Sequence, residues 1–151
     1  MIMKDQNSNH VSLTWTYKTG SLSAETVGLP ADEIVMDCHI GAEDEHGKRR
    51  TSVHALWDTG TSTTIITPDV ARKLKSKVFD TIGLNGLKGQ SRAPVCAIYV
   101  LFPNGKAFGP IAAAIHELPS VDVILGMDVI SIGTFTLRRK PDGGTLFTFE
   151  L

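Results

Sequence analysis

Ala55-Leu56-Trp57-Asp58-Thr59-Gly60-Thr61-Ser62-Thr63 is an apolar run that stops abruptly at one carboxylate. Three residues that favour burial precede Asp58, and a small turn-forming triplet follows it. The pattern predicts a core strand with a charge held at its end. Desolvating a carboxylate is costly unless the charge is paired or has chemistry to perform. An isolated Asp-Thr-Gly also has a plain explanation, an Asp that stabilises a strand-to-turn junction with its own side chain. The surrounding chain decides between the two.

Upstream, residues 33–40 alternate polar and apolar side chains, with Ile34, Met36, Cys38 and Ile40 on one face, as a half-buried strand requires. The polar stretch 41–47 is expected to turn that strand back into residues 50–57, making a hairpin whose second strand delivers Asp58. Residues 11–17 alternate with the same period, residues 20–30 are rich in turn formers and read as a loop or linker, and residues 1–10 read as a frayed tail. Downstream, Thr63-Thr64-Ile65-Ile66-Thr67 is β-branched and strand-like. Thr67 then offers an N-cap, Pro68 the first helical position, and Asp69 an acid ahead of Arg72 and Lys73, the signature of a short helix. Two strands within residues 78–102 flank the glycine-rich Gly83-Leu84-Asn85-Gly86-Leu87-Lys88-Gly89, a flexible hairpin tip or a backbone approached closely by something else. Asn104-Gly105 marks another hairpin. A strand over 109–116, the very apolar 121–126, a short helix over 127–132 and a terminal hairpin turning at Pro141-Asp142-Gly143-Gly144 complete the chain. Strands dominate, so the fold class is mostly β. A weak internal echo is present: an apolar strand leads to Asp58-Thr59-Gly60 and then a short helix, and a later one leads to Leu125-Gly126 and another short helix.

The 151 residues suit one domain, with 42% hydrophobic and 21% charged side chains and a formal net charge of −1. That balance carries neither a nucleic-acid footprint nor a membrane-surface patch. The basic clusters Lys48-Arg49-Arg50 and Arg138-Arg139-Lys140 fall where turns are expected and read as solvated hairpin ends. No apolar stretch reaches membrane-spanning length, and the N-terminus lacks an apolar run of signal-peptide length, so the expectation is a soluble, cytoplasmic protein. Cys38 and Cys96 lie in different predicted strands and are expected to be buried, reduced thiols. The five histidines follow no metal-ligand spacing and read as strand-surface or loop residues; neither a metal nor a cofactor is expected.

At this point the motifs carry a resemblance. Leu56-Trp57-Asp58-Thr59-Gly60-Thr61-Ser62, the glycine-rich Gly86-Leu87-Lys88-Gly89 and Val123-Ile124-Leu125-Gly126-Met127-Asp128, in that order, resemble the retropepsin-like aspartic proteases, particularly their bacterial group. The resemblance runs from about residue 33 to 151 and implies a single-domain acid-protease fold over residues 31–151. That fold is a closed β-barrel with one or two short helices and a glycine-rich flap hairpin, active as a twofold dimer. Residues 1–30 are left as an N-terminal tail with a possible strand.

The resemblance also implies roles. Peptide hydrolysis without a covalent intermediate needs one group to deprotonate water and another to protonate the carbonyl oxygen, and two carboxylates sharing a proton do both. This chain offers one Asp-Thr-Gly. Asp80-Thr81-Ile82-Gly83 has an inserted residue and Asp142-Gly143-Gly144 sits in a turn, so the second carboxylate is expected to be Asp58 of another subunit. Thr59 would bond across the dimer axis, and Gly60 would leave room for the substrate backbone and accept its hydrogen bonds. Thr61 would hydrogen-bond the catalytic carboxylate, which favours the ionised form and implies an acidic optimum. Ser62 is either a substrate contact or a turn stabiliser. Gly86, Leu87, Lys88 and Gly89 would belong to the flap that closes over an extended peptide, although Lys88 stands where retroviral flaps commonly have glycine. Leu125 and Gly126 would pack beneath the catalytic loop, and Asp128 would cap the second helix. Two other readings stay open: a non-catalytic dimerisation or peptide-binding module on the same fold, and an unrelated β-barrel with a chance motif match.

Overall fold

β1 (Thr14–Lys18) and β2 (Ser21–Glu25) form an N-terminal hairpin in the computed structural model of the protein, which describes residues 11–42, 48–86 and 89–151. β2 corrects the sequence expectation of a loop over 20–30. Leu22 and Ala24 point inward with 0% and 1% exposure, and β2 pairs on both sides, with β1 and with the C-terminal strand. Its stability comes from a partner more than a hundred residues away, so turn-forming serines and glycines around it mislead a local reading.

β3 (Val35–Ala42) and β4 (Arg49–Trp57) make the expected antiparallel hairpin, in register from Val35 opposite Leu56 to Ala42 opposite Arg49. The predicted inward face is met: Ile34, Met36, Cys38 and Ile40 are all buried. Of the turn expected at 41–47, residues 41 and 42 continue β3 and residues 43–47 lie outside the described residues. β5 (Ile65–Ile66) leads into α1 (Pro68–Lys73), where Thr67 Oγ1 accepts the Val70 N–H at 3.3 Å. Pro68 opens that helix because its missing N–H would have lacked an intrahelical partner anyway.

β6 (Val78–Gly86) and β7 (Gly89–Leu101) pair antiparallel around the glycine-rich tip; Leu87 and Lys88 lie outside the described residues. β7 turns through Phe102–Lys106 into β8 (Ala107–Ile115), the turn closed by Gly105 N–H donating to the Phe102 carbonyl at 3.0 Å. β9 (Val123–Leu125) is followed by α2 (Met127–Ile130), and β10 (Thr134–Arg139) and β11 (Thr145–Glu150) form the terminal hairpin.

Two sheets result. One has the order β1-β2-β11-β10, and the other β3-β4-β9-β5-β8-β7-β6. In the second, β7 also pairs back onto β3, His39 to Gly41 opposite Leu101 to Tyr99, so the strand pairings close into a ring from which β6 and the first half of β7 project. The fold is mostly β with two short helices, as the alternation predicts. Trp57, the last residue of β4, joins the sheets: its ring lies 4.7 Å from Phe149, 5.3 Å from Phe147 and 6.2 Å from Phe102, centroid to centroid. The residue before Asp58 is thereby anchored in the aromatic core.

Candidate active site

β9 inserts between β4 and β5, parallel to the first and antiparallel to the second. This places the ends of the two apolar strands side by side, Trp57 opposite Leu125. Asp58 N–H donates to the Leu125 carbonyl at 3.0 Å, so the chain leaves β4 already tied to the end of β9. The internal echo seen in the sequence therefore corresponds to two neighbouring strand ends.

The carboxylate of Asp58, half-buried, is held by its own loop. Gly60 N–H donates to Oδ1 at 2.8 Å and the Thr61 hydroxyl donates to Oδ2 at 3.0 Å. Thr59, Gly60 and Ser62 are exposed and Thr61 is half-buried. A Cβ on Gly60 would stand 3.2 Å from Asp58 Oδ1, a tight contact that the carboxylate would have to relieve by a small shift.

Beneath the loop, Leu125 is fully buried, and Gly126 lies so close that a Cβ on it would meet the Thr61 carbonyl oxygen at 2.7 Å and the Thr63 carbonyl carbon at 3.0 Å. Met127 N–H donates to that same Thr61 oxygen at 2.7 Å. Asp128 departs from the role expected of it. Gly126, without a side-chain bond, is the N-cap of α2, whereas Asp128 accepts the Thr64 N–H at 2.9 Å and the Thr64 hydroxyl at 2.7 Å as well as the Val129 N–H at 2.9 Å. The Thr64 hydroxyl, fully buried, also accepts the Gly126 N–H at 3.2 Å. Thr64 and Asp128 thus clamp the backbone that follows the Asp58 loop to α2. Sequence reading missed this pair because Thr64 looks like one more β-branched strand residue; a buried threonine opposite an acid declares itself only once the strands are paired.

Gly60, Thr61, Ser62 and Thr63 share a cleft of about 690 Å³ with residues 83–85 and 89–91 of the glycine-rich hairpin and with Ile65 and His116. Gly86 ends β6 and Gly89 begins β7 with φ +99°, a left-handed conformation that favours glycine. Asp58 and Thr59 face a second hollow of about 580 Å³, lined by residues 30–34 and by Phe135, Leu137, Arg138 and Arg139. The other Asp-containing triplets are elsewhere: Asp80 stands on β6 with its carboxylate on the Thr81 N–H, and Asp142 is bound to the Gly144 N–H in the terminal turn. Both cysteines are buried and unpaired, as expected. Burial, with Asp37 alongside, pushes the Cys38 thiol up to about 12, and burial raises Cys96, so neither supplies a ready thiolate. Among the described residues no group of His, Cys, Asp and Glu is arranged to hold a metal, and no helix is long and apolar enough to cross a membrane.

Comparison with known proteins follows the same lines. A model of the family described as "gag-polyprotein putative aspartyl protease" matches residues 48–131. Among solved structures, the EIAV protease complexed with the inhibitor HBY-793 aligns with a TM-score of 0.54 at 17% identity, over 67% of this chain and 88% of that one. A retropepsin-like aspartic protease from Rickettsia conorii aligns with a TM-score of 0.51 at 18% identity, over 90% of this chain and 96% of that one. At such identities the likeness is one of fold. No curated protein matches the sequence.

Proposed function

The chain belongs to the gag-polyprotein aspartyl protease family, and on that premise we propose that it is an aspartic endopeptidase whose site is completed by Asp58 of a second copy. One observation carries the reading: a single carboxylate is oriented by Gly60 N–H and the Thr61 hydroxyl, and the loop that holds it, Gly60 to Thr63, lines a cleft shared with a glycine-rich hairpin. A lone carboxylate does half of the chemistry. Two of them facing each other share one proton, because close like charges do not both ionise readily.

The ionised member of the pair takes a proton from water as its oxygen attacks the peptide carbonyl carbon. The protonated member gives its proton to the carbonyl oxygen. Collapse of the tetrahedral intermediate then breaks the C–N bond, with a proton delivered to the leaving nitrogen. In this reading Thr59 bonds across the dimer axis, Gly60 accepts a substrate N–H, and Ser62 with Gly86, Leu87, Lys88 and Gly89 borders the bound strand. Leu125 and Gly126 set the height of the loop. The substrate is an extended peptide, which pairs through its backbone and needs no cofactor. The hollow beside Thr59, with Leu137 54% exposed, is the face open to a second copy. Residues 31–151 form the protease domain, and the two unpaired thiols suit a reducing cytoplasm.

Cleavage of a peptide library in acid by the wild-type protein, and none by Asp58→Asn, is the expected result. Peptide binding without cleavage by either protein would make the chain a binding module. A strictly monomeric protein that cleaves, by sedimentation under assay conditions, would sink the shared pair.

A further inference from the structure

The cleft between the Asp58 loop and the glycine-rich hairpin is lined by backbone, hydroxyls, amides and aliphatic side chains, and among its described lining residues His116 is the one ionisable group. His116 follows the last residue of β8, and its N–H donates to the Ile66 carbonyl at 3.0 Å, continuing the pairing with β5. The side chain is exposed, and Nδ1 lies 2.9 Å from the Glu117 carbonyl oxygen. A carbonyl only accepts, so Nδ1 carries the proton in that bond and Nε2 is the ring atom left to meet a ligand. A bond to the next residue ties no two elements together. By contrast His39 meets Ser52 and His54 meets Asp37 across the β3–β4 hairpin, where they join strands.

We propose that His116 is a specificity-determining residue that reads one side chain of the extended peptide in this cleft and prefers it to be Asp or Glu. The inference rests on the endopeptidase reading for its substrate class. A protonated ring keeps Nδ1–H on the Glu117 carbonyl and offers Nε2–H to an ionised carboxylate, a charge-assisted bond stronger than a neutral one. Glu117, exposed on the same segment, is the acid next to it in the chain, and Asp58, on the loop that shares the cleft, has both oxygens already accepting Gly60 N–H and the Thr61 hydroxyl.

The test compares peptides that differ only by Glu or Gln, placed at each position in turn. Cleavage by wild-type protein in acid is measured alongside binding of the same peptides to Asp58→Asn by fluorescence anisotropy. Glu is expected to be favoured at one position by about tenfold in both measurements, the ratio falling to near one in His116→Leu and staying high in His116→Arg. His116→Gln repeats the loss in a side chain of similar polarity, and a thermal melt shows that each variant is folded. A ratio near one at every position in the wild-type background, or a ratio that survives in His116→Leu and His116→Gln, overturns the proposal. Glu-selective binding that depends on His116, with no cleavage by wild type, would sink the endopeptidase reading and leave the recognition role standing.

Discussion

Asp58 is oriented by bonds from residues two and three positions away, but the loop that supplies them is held by residues 62 and 64 positions further along. Disturbing the distant half should therefore harm the site without touching the carboxylate. Thr64→Val removes the hydroxyl that donates to Asp128 and accepts from Gly126, leaving buried polar groups unpaired. A loss of about 1–3 kcal/mol in chemical denaturation is expected, together with reduced cleavage. Asp128→Ala should do likewise, and a variant as stable and active as wild type would refute the clamp. Gly126→Ala is expected to be worse, because its Cβ would strike backbone atoms of Thr61 and Thr63, which have nowhere to rotate. The cysteines are inert by the same local logic. With both thiols raised by burial, alkylation near neutral pH should be slow in native protein and rapid once it is unfolded.

At the scale of elements, the β6–β7 hairpin and the turns that carry acidic residues are the sensitive parts. Gly89→Val forces a β-branched side chain into a left-handed conformation, a strain of about 1–2 kcal/mol, so kcat/KM should fall by about tenfold while the rest of the fold melts as before. Asp69 is held below the usual carboxylate range by Lys73 and then Arg72 beside it on α1, and Asp142 is held low by the Gly144 N–H in the terminal turn. A folded-state value below the unfolded one means that the stabilisation is complete above about pH 3.9 and drains away as pH falls through the depressed value. Thermal melts across that range should show stability declining with acid, less steeply in Asp142→Asn.

For the whole molecule, the two sheets meet at Trp57, packed against Phe147 and Phe149, and the β1–β2 hairpin adds Leu22 and Ala24 to the same core. Trp57→Ala should cost about 3–5 kcal/mol and disorder the Asp58 loop with the core. Deleting residues 1–30 strips β2 from β11 and bares Phe149, so the shortened chain should melt lower or aggregate; an unchanged melting temperature would show that the terminal sheet is dispensable. Alternation, caps and turn residues let the sequence determine by itself which segments other than β2 are strands, where α1 begins, which face of β3 is buried and that one carboxylate closes an apolar run. All of these depend on residues a few positions apart. The Asp58–Thr61 bond, which the family resemblance implied, is likewise formed within a single turn. Only tertiary structure decided that β2 is a strand, that β9 slots between β4 and β5, that Asp128 serves Thr64, and that His116 shares a cleft with the Asp58 loop. These depend on which distant strands find complementary edges and faces. That is settled by burial and pairing across the whole chain, and no window of neighbouring residues encodes it.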